Sequence, residues 1–242
     1  MGVFISFFLM AILQEPTFKE KQLQFTRVKE AYQTKEITVK KLFNHKNLNY
    51  QGYQLFLRAF KKEGKLEVWI KPKGESKYQL LTVYDVCSSS GRLGPKRREG
   101  DRQVPEGVYH ISHFNPQSNF YLSLGLNYPN KSDKLLGHTN PGSAIYIHGD
   151  CVTIGCLPMT DDKIKELYIL AVEARNSGQT IIPVHIFPTR LDNAGIAMLE
   201  QEKDVDQNTI LFWKNLQSIY LDFESEKTLR KVQISSSGQY YF

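Results

Sequence analysis

Ala144-Ile145-Tyr146-Ile147-His148-Gly149-Asp150-Cys151-Val152-Thr153-Ile154-Gly155-Cys156-Leu157-Pro158-Met159 is the stretch from which the rest of the chain is read. It opens with an alternation that puts Ala144, Tyr146 and His148 on one face of a strand and Ile145 and Ile147 on the other. His148 therefore stands at a strand end, its imidazole free to face a cleft. Gly149 and Gly155 let the following loop bend back sharply, and a loop of that length returns the Cys156 thiol toward His148. Such a pair suits acyl transfer through a thioester. Cysteine attacks as thiolate, yet with a free pKa of about 8.5 it is mostly protonated at neutral pH. An imidazole that takes the proton and later returns it to the leaving amine removes that handicap. Backbone N–H groups at Gly155 and Cys156 are the candidate oxyanion hole, and the glycine leaves room for a substrate carbonyl.

Further motifs stand in order ahead of this stretch: Ser90-Gly91-Arg92-Leu93-Gly94-Pro95-Lys96, Glu99-Gly100-Asp101, Val104-Pro105-Glu106-Gly107-Val108-Tyr109 and Leu124-Gly125-Leu126-Asn127-Tyr128-Pro129. With His148-Gly149, Thr153 and Gly155-Cys156 they resemble the L,D-transpeptidase (YkuD-like) catalytic domain, in its YafK-like branch, over roughly residues 50 to 190. The resemblance implies a mainly β fold with flanking helices (α+β), a twisted, partly barrel-like β-sandwich. It implies Cys156 as nucleophile, His148 as general base and acid, the Gly149 carbonyl as the group that orients the imidazole, Gly155 as oxyanion-hole backbone and Thr153 as its support. The implied reaction is peptidoglycan cross-linking. Cys156 attacks the carbonyl of the third residue of a tetrapeptide stem, terminal D-Ala leaves, and the thioester passes to an amine of another stem.

Relatives in this branch that hydrolyse an amide at the same residue make the alternative an amidase or endopeptidase that frees a wall-linked protein or stem peptide. Two departures bear on that choice. Ile154 stands where many members carry a second histidine, and Pro158 where many carry arginine. A comparable loop in the family walls the substrate groove, which implies Tyr128 and Asn140 as peptide contacts. His138 is a second polar group for the groove, and Arg98, within the basic cluster Lys96, Arg97, Arg98 and Arg102, is a candidate for a substrate carboxylate. No cofactor and no metal is expected. The expected partners are peptidoglycan stem peptides and a wall-anchored protein.

At 242 residues the chain is long enough for one catalytic domain with appendages, and its composition is that of an ordinary globular protein. The net charge of +6 suits an acidic partner such as cell-wall peptide carboxylates; without a concentrated basic run it argues against nucleic acid. The expected organisation is a signal peptide or N-terminal anchor at 1–14, a helical lead-in at 15–50, the catalytic domain at 51–190 and a C-terminal helical extension and tail at 191–242. Residues 1–13 are an uncharged apolar run too short to cross a bilayer comfortably, which reads as a secretory signal or a membrane contact, with a buried helix as the competing reading. Export would place the protein in the periplasm or cell envelope.

Phe18 to His45 carries the spacing of one or two amphipathic helices, with Phe25, Val28, Tyr32, Ile37 and Leu42 apolar and His45 a solvated histidine. Gln54–Phe60 and Leu66–Lys71 read as a hairpin closed at Gly64, and Tyr78–Cys87 as a third strand. Val104–Ile111 reads as a turn and strand in which His110, like nearby His113, is packed or solvated. Asn115–Asn140 has the length and composition of a functional loop. Thr160 caps a helix that Gly178 ends. Thr180–Phe187 reads as a strand placed at a sheet edge by Pro183, with His185 a satisfied structural residue. A helical stripe of Phe212, Trp213, Leu216, Ile219, Tyr220 and Phe223 precedes a polar tail around Ser235–Gly238 expected to be mobile.

Of three cysteines, Cys87 and Cys151 are left to pair if Cys156 is the nucleophile. Asp150 reads as a turn residue. A rival class of reading takes His138, His148, Cys151 and Cys156 as zinc ligands. Another takes the chain as a non-catalytic peptidoglycan-binding module.

Overall fold

The computed structural model describes residues 15–242; the signal or anchor segment expected at 1–14 lies outside them. In chain order the helical lead-in forms α1 (Phe18–Gln22) and α2 (Thr26–His45). Strands β1 (Gln54–Phe60), β2 (Lys65–Lys71), β3 (Gln79–Asp85), β4 (Gly107–Asn115) and β5 (Ser123–Leu126) follow, then α3 (Lys131–Leu136), β6 (Tyr146–His148), β7 (Leu157–Pro158), α4 (Asp161–Asn176), β8 (Pro183–Phe187), α5 (Asn193–Leu199), α6 (Gln207–Glu226) and a last hairpin of β9 (Gln233–Ile234) and β10 (Tyr240–Tyr241). Eight strands form one mixed sheet in the order β3-β2-β1-β8-β4-β5-β6-β7, so the chain has the mainly β fold with flanking helices that its motifs imply.

The period of two along β1 divides the interior. Leu55, Leu57 and Ala59 face a core that includes Val28, Ala31 and Phe43 of α2 and Leu167 and Leu170 of α4. Phe56 and Phe60 face the other way, onto Phe223, Trp213 and Tyr220 of α6. The apolar stripe of α6 is therefore core packing. Ile37, by contrast, is 70% exposed, because the buried face of α2 runs through Val28, Ala31, Tyr32, Val39 and Phe43.

Three expectations are corrected. The strand with Pro183 is central, between β1 and β4, because proline occupies its first position, where a missing N–H costs least. Asn115–Asn140, expected as one functional loop, contains β5 and α3; the Asn130 side chain caps α3 by accepting from the Asp133 N–H. The polar tail is anchored, since Ser132 Oγ donates to the Gly238 carbonyl at 2.6 Å and Tyr240 is buried against Asn130 and Asn215. His185 is buried as expected, but its Nδ1 has no partner among the described residues, and burial beside Arg58 pushes its pKa down to about 3.

One buried knot fixes the long loop before β4. Glu106 accepts from Lys61 Nζ at 2.8 Å, from the Gly94 N–H at 2.8 Å and from Trp213 Nε1 at 2.7 Å, while Lys61 also donates to the carbonyls of Arg92, Gly94 and Val104. The β1–β2 turn, the loop and α6 thus meet at one carboxylate.

Candidate active site

Parallel pairing of β6 with β7 sets Ile147 opposite Leu157 and His148 opposite Pro158. Cys156, one residue ahead of Leu157, then lies beside Tyr146, and alternation gives Tyr146 and His148 the same face. The loop between the strands is held at both ends: the Gly149 N–H donates to the Leu122 carbonyl at 3.1 Å, and the Met159 N–H to the His148 carbonyl at 2.7 Å. A Cβ at Gly149 would sit 2.6 Å from Asp161 Oδ1 and 3.0 Å from the Phe120 carbonyl, so a larger residue would have to displace them. Asp150 is a turn residue at φ 61°, its N–H donating to Asp161 Oδ1 at 2.9 Å. Cys151 is bonded to Cys87, which ties the middle of the loop to the segment after β3.

His148 is buried, and its Nδ1 donates to the Gly149 carbonyl at 2.5 Å. That bond leaves Nε2 as the unprotonated nitrogen. The Phe120 ring lies over the imidazole at 4.6 Å between centroids. Burial lowers the pKa of His148, opposed by the Gly149 carbonyl and the charge of Asp150. Cys156 is a free, half-buried thiol whose Sγ meets the Ala144 carbonyl at 3.7 Å; among the described residues no hydrogen bond joins it to His148. Burial raises its pKa, opposed by the Tyr146 backbone N–H and the Lys96 ammonium. Both shifts favour the neutral forms, so the resting pair is thiol and imidazole, with the proton moving during attack.

A pH profile checks this. Alkylation of Cys156 by iodoacetamide is expected to climb with a midpoint above the ordinary cysteine value, whereas turnover should lose its base only below the ordinary histidine value of 6.5. A thiolate plateau at neutral pH would contradict the neutral pair.

Thr153 does more than stand near the thiol. Its Oγ1 accepts from the Gly155 N–H at 3.1 Å and from the Cys156 N–H at 2.8 Å, and donates to the Cys156 carbonyl at 2.9 Å. Both N–H groups expected to form the oxyanion hole are therefore occupied, and a substrate oxygen must share or take over one of these bonds. Thr153→Val keeps the shape but leaves two N–H groups unpaired. We expect it to cost roughly 1 to 3 kcal/mol of stability and to lower kcat about ten- to a hundredfold through misplacement of Cys156, with Thr153→Ser close to wild type. Melting curves and turnover rates read both.

The expected substrate contacts divide. Tyr128 is buried, its hydroxyl donating to the Pro141 and Lys96 carbonyls at 2.9 and 3.3 Å, so it braces the loop and is no peptide contact. Asn140 is exposed, with Nδ2 donating to Glu99. His138 and Arg98 are exposed and line one cleft with Gln103. The zinc reading loses a ligand because the Cys151 sulfur is bonded to Cys87; among the described residues no group of three or more His, Cys, Asp or Glu is placed to hold a metal.

Two features escaped the sequence reading. Phe120, 40% exposed, shields His148, and nothing in its spacing marks it. His113 lies where a Gly125 Cβ would be and meets Tyr146 edge-on at 5.3 Å. Gly125 was legible only as part of a motif.

Residues 57–186 match the family model described as the L,D-transpeptidase catalytic domain, YkuD. The chain is 35% identical over 191 residues to the Escherichia coli (strain K12) protein named "Putative L,D-transpeptidase YafK", covering 78% of this chain and 74% of that one. Among solved structures it is similar to the helical cell shape determining protein Pgp2 from Campylobacter jejuni, at 16% identity over 84% of this chain and 80% of that chain with a TM-score of 0.45. It is also similar to Bdellovibrio bacteriovorus Bd1075, at 26% identity over 56% and 48% with a TM-score of 0.40. With the family model spanning most of the sheet and both motif residues inside it, the chain belongs to the YkuD family of L,D-transpeptidase catalytic domains.

Proposed function

We propose that this protein is a peptidoglycan L,D-transpeptidase that works through a thioester on Cys156. The observation that carries the reading is the pairing of a free thiol ahead of β7 with an imidazole at the end of β6 whose Nδ1 is fixed by the Gly149 carbonyl. His148 Nε2 takes the thiol proton as sulfur attacks the carbonyl of the third stem residue. The tetrahedral intermediate collapses to the thioester, and the leaving D-Ala amine takes that proton from the imidazolium. An amine of a second stem then attacks the thioester and gives its proton to His148, which returns it to sulfur as the new amide forms. The Cys87–Cys151 disulfide supports export to the periplasm or envelope, where such bonds persist.

Hydrolysis is the second reading, favoured by Ile154, 79% exposed at the place of a second histidine. Purified protein incubated with muropeptides and with protein-linked muropeptides, and read by mass spectrometry, separates the two. Cross-linked dimers are expected; freed stems or freed protein alone would replace transfer by cleavage, and no product that depends on Cys156 would sink both.

A further inference from the structure

Residues after 186, outside the span of the family model, line one side of two clefts. Two adjoining clefts of about 490 and 500 Å³ share Pro95, Arg97, Asp206 and Thr209 and so form one trough between the loop at 92–103 and the start of α6. One end reaches Gln103, whose carbonyl oxygen is 3.0 Å from the place a Gly155 Cβ would take. Gly155 directly precedes Cys156 in the chain.

Three of the six charged residues that line the trough are already engaged. Asp101 accepts from Lys96 and from the N–H groups of Arg97, Arg98 and Gln103. Arg97 reaches Asp133 at 3.4 Å and lies over Phe212, and Asp206 caps α6 through Thr209. Three remain. Arg92 and Arg98 on the loop, and Asp204 on the approach to α6, are exposed and make no ion pair among the described residues. A guanidinium takes a carboxylate through its paired N–H donors, and a carboxylate takes an ammonium. A simple polyanion would meet Asp204, and a polycation the two arginines. The charges match a ligand of both signs.

We propose that this trough is a second binding site, taking a zwitterionic peptide whose carboxylates meet Arg92 and Arg98 and whose ammonium faces Asp204. The inference rests on the acyl-transfer reading, in which a second peptide must come up to the thioester. Beyond the charged half, Asn208, Ser237 and Gln239 line neutral polar space into which such a peptide continues.

Amide shift mapping of Cys156→Ala, titrated with a synthetic alanine-glutamate-diaminopimelate-alanine stem, reads binding without turnover. Perturbations are expected at Arg92, Arg98, Asp204 and Asn208, with affinity there falling about tenfold in Arg92→Glu and again in Asp204→Lys. Cys156 alkylation should be unchanged by either substitution made in the native protein. Perturbations confined to the surroundings of His148, or an affinity that neither substitution moves, would overturn the site. Acetate giving the same perturbations would also overturn it, reducing the trough to a general anion patch. A protein that binds the stem here yet turns over no muropeptide would refute the thioester reaction and leave this site standing.

Discussion

His148→Gln is expected to lower kcat for stem-peptide turnover by about 10³ or more, roughly 4 kcal/mol of barrier. The size follows from the resting protonation state. Burial holds the Cys156 thiol protonated and the imidazole neutral, so attack requires a group that accepts the proton as the C–S bond forms. Glutamine fills similar space and cannot accept it. In the proposed reaction the same ring then protonates the leaving amine, so one substitution removes two proton transfers. Gly149→Ala should produce a milder loss, because its Cβ would press on Asp161 and on the Phe120 carbonyl and shift the carbonyl that holds Nδ1. Steady-state kinetics with a muropeptide substrate, beside iodoacetamide labelling to show that Cys156 is still present and accessible, provide the check. Turnover within threefold of wild type for His148→Gln would assign the base elsewhere.

The largest stability effect is expected at Glu106, far from any reacting atom. Glu106→Ala strips the partner from the buried Lys61 ammonium, the Gly94 N–H and the Trp213 indole at once. Removing one member of a buried ion pair costs about 3 to 5 kcal/mol, which for a chain of this size lowers Tm by roughly 6 to 20 °C. Lys61 keeps three carbonyl acceptors, and that limits the loss without cancelling it. Pairing Glu106→Leu with Lys61→Met should recover part of the stability, since the charge left alone is what destabilises. The loop that Glu106 anchors carries Gln103 against Gly155 and Lys96 toward the thiol, so activity below the melting transition should fall too. Thermal unfolding that leaves Tm within about 2 °C of wild type would show that the knot contributes little.

The placement of the candidate site was largely legible in the chain itself, because it depends on residues close together in sequence. Alternation ended a strand at His148, and the loop returned the chain to pair β7 with β6, which sets Cys156 just ahead of Leu157; β1, β2 and α4 were equally local, each written in a short period with its own turn or cap. The neighbours that tune those residues were not, since each contact joins distant segments. Phe120 over His148, Tyr128 turned inward and Pro183 at the head of a central strand depend on how the sheet is ordered, which no local period encodes. Burial worked in the same way. That the thiol and imidazole rest neutral follows from surfaces removed from water only when the loop between β6 and β7 folds back and Phe120 covers His148, and the tail is pinned by Ser132 and Asn215 only once α3 and α6 meet it.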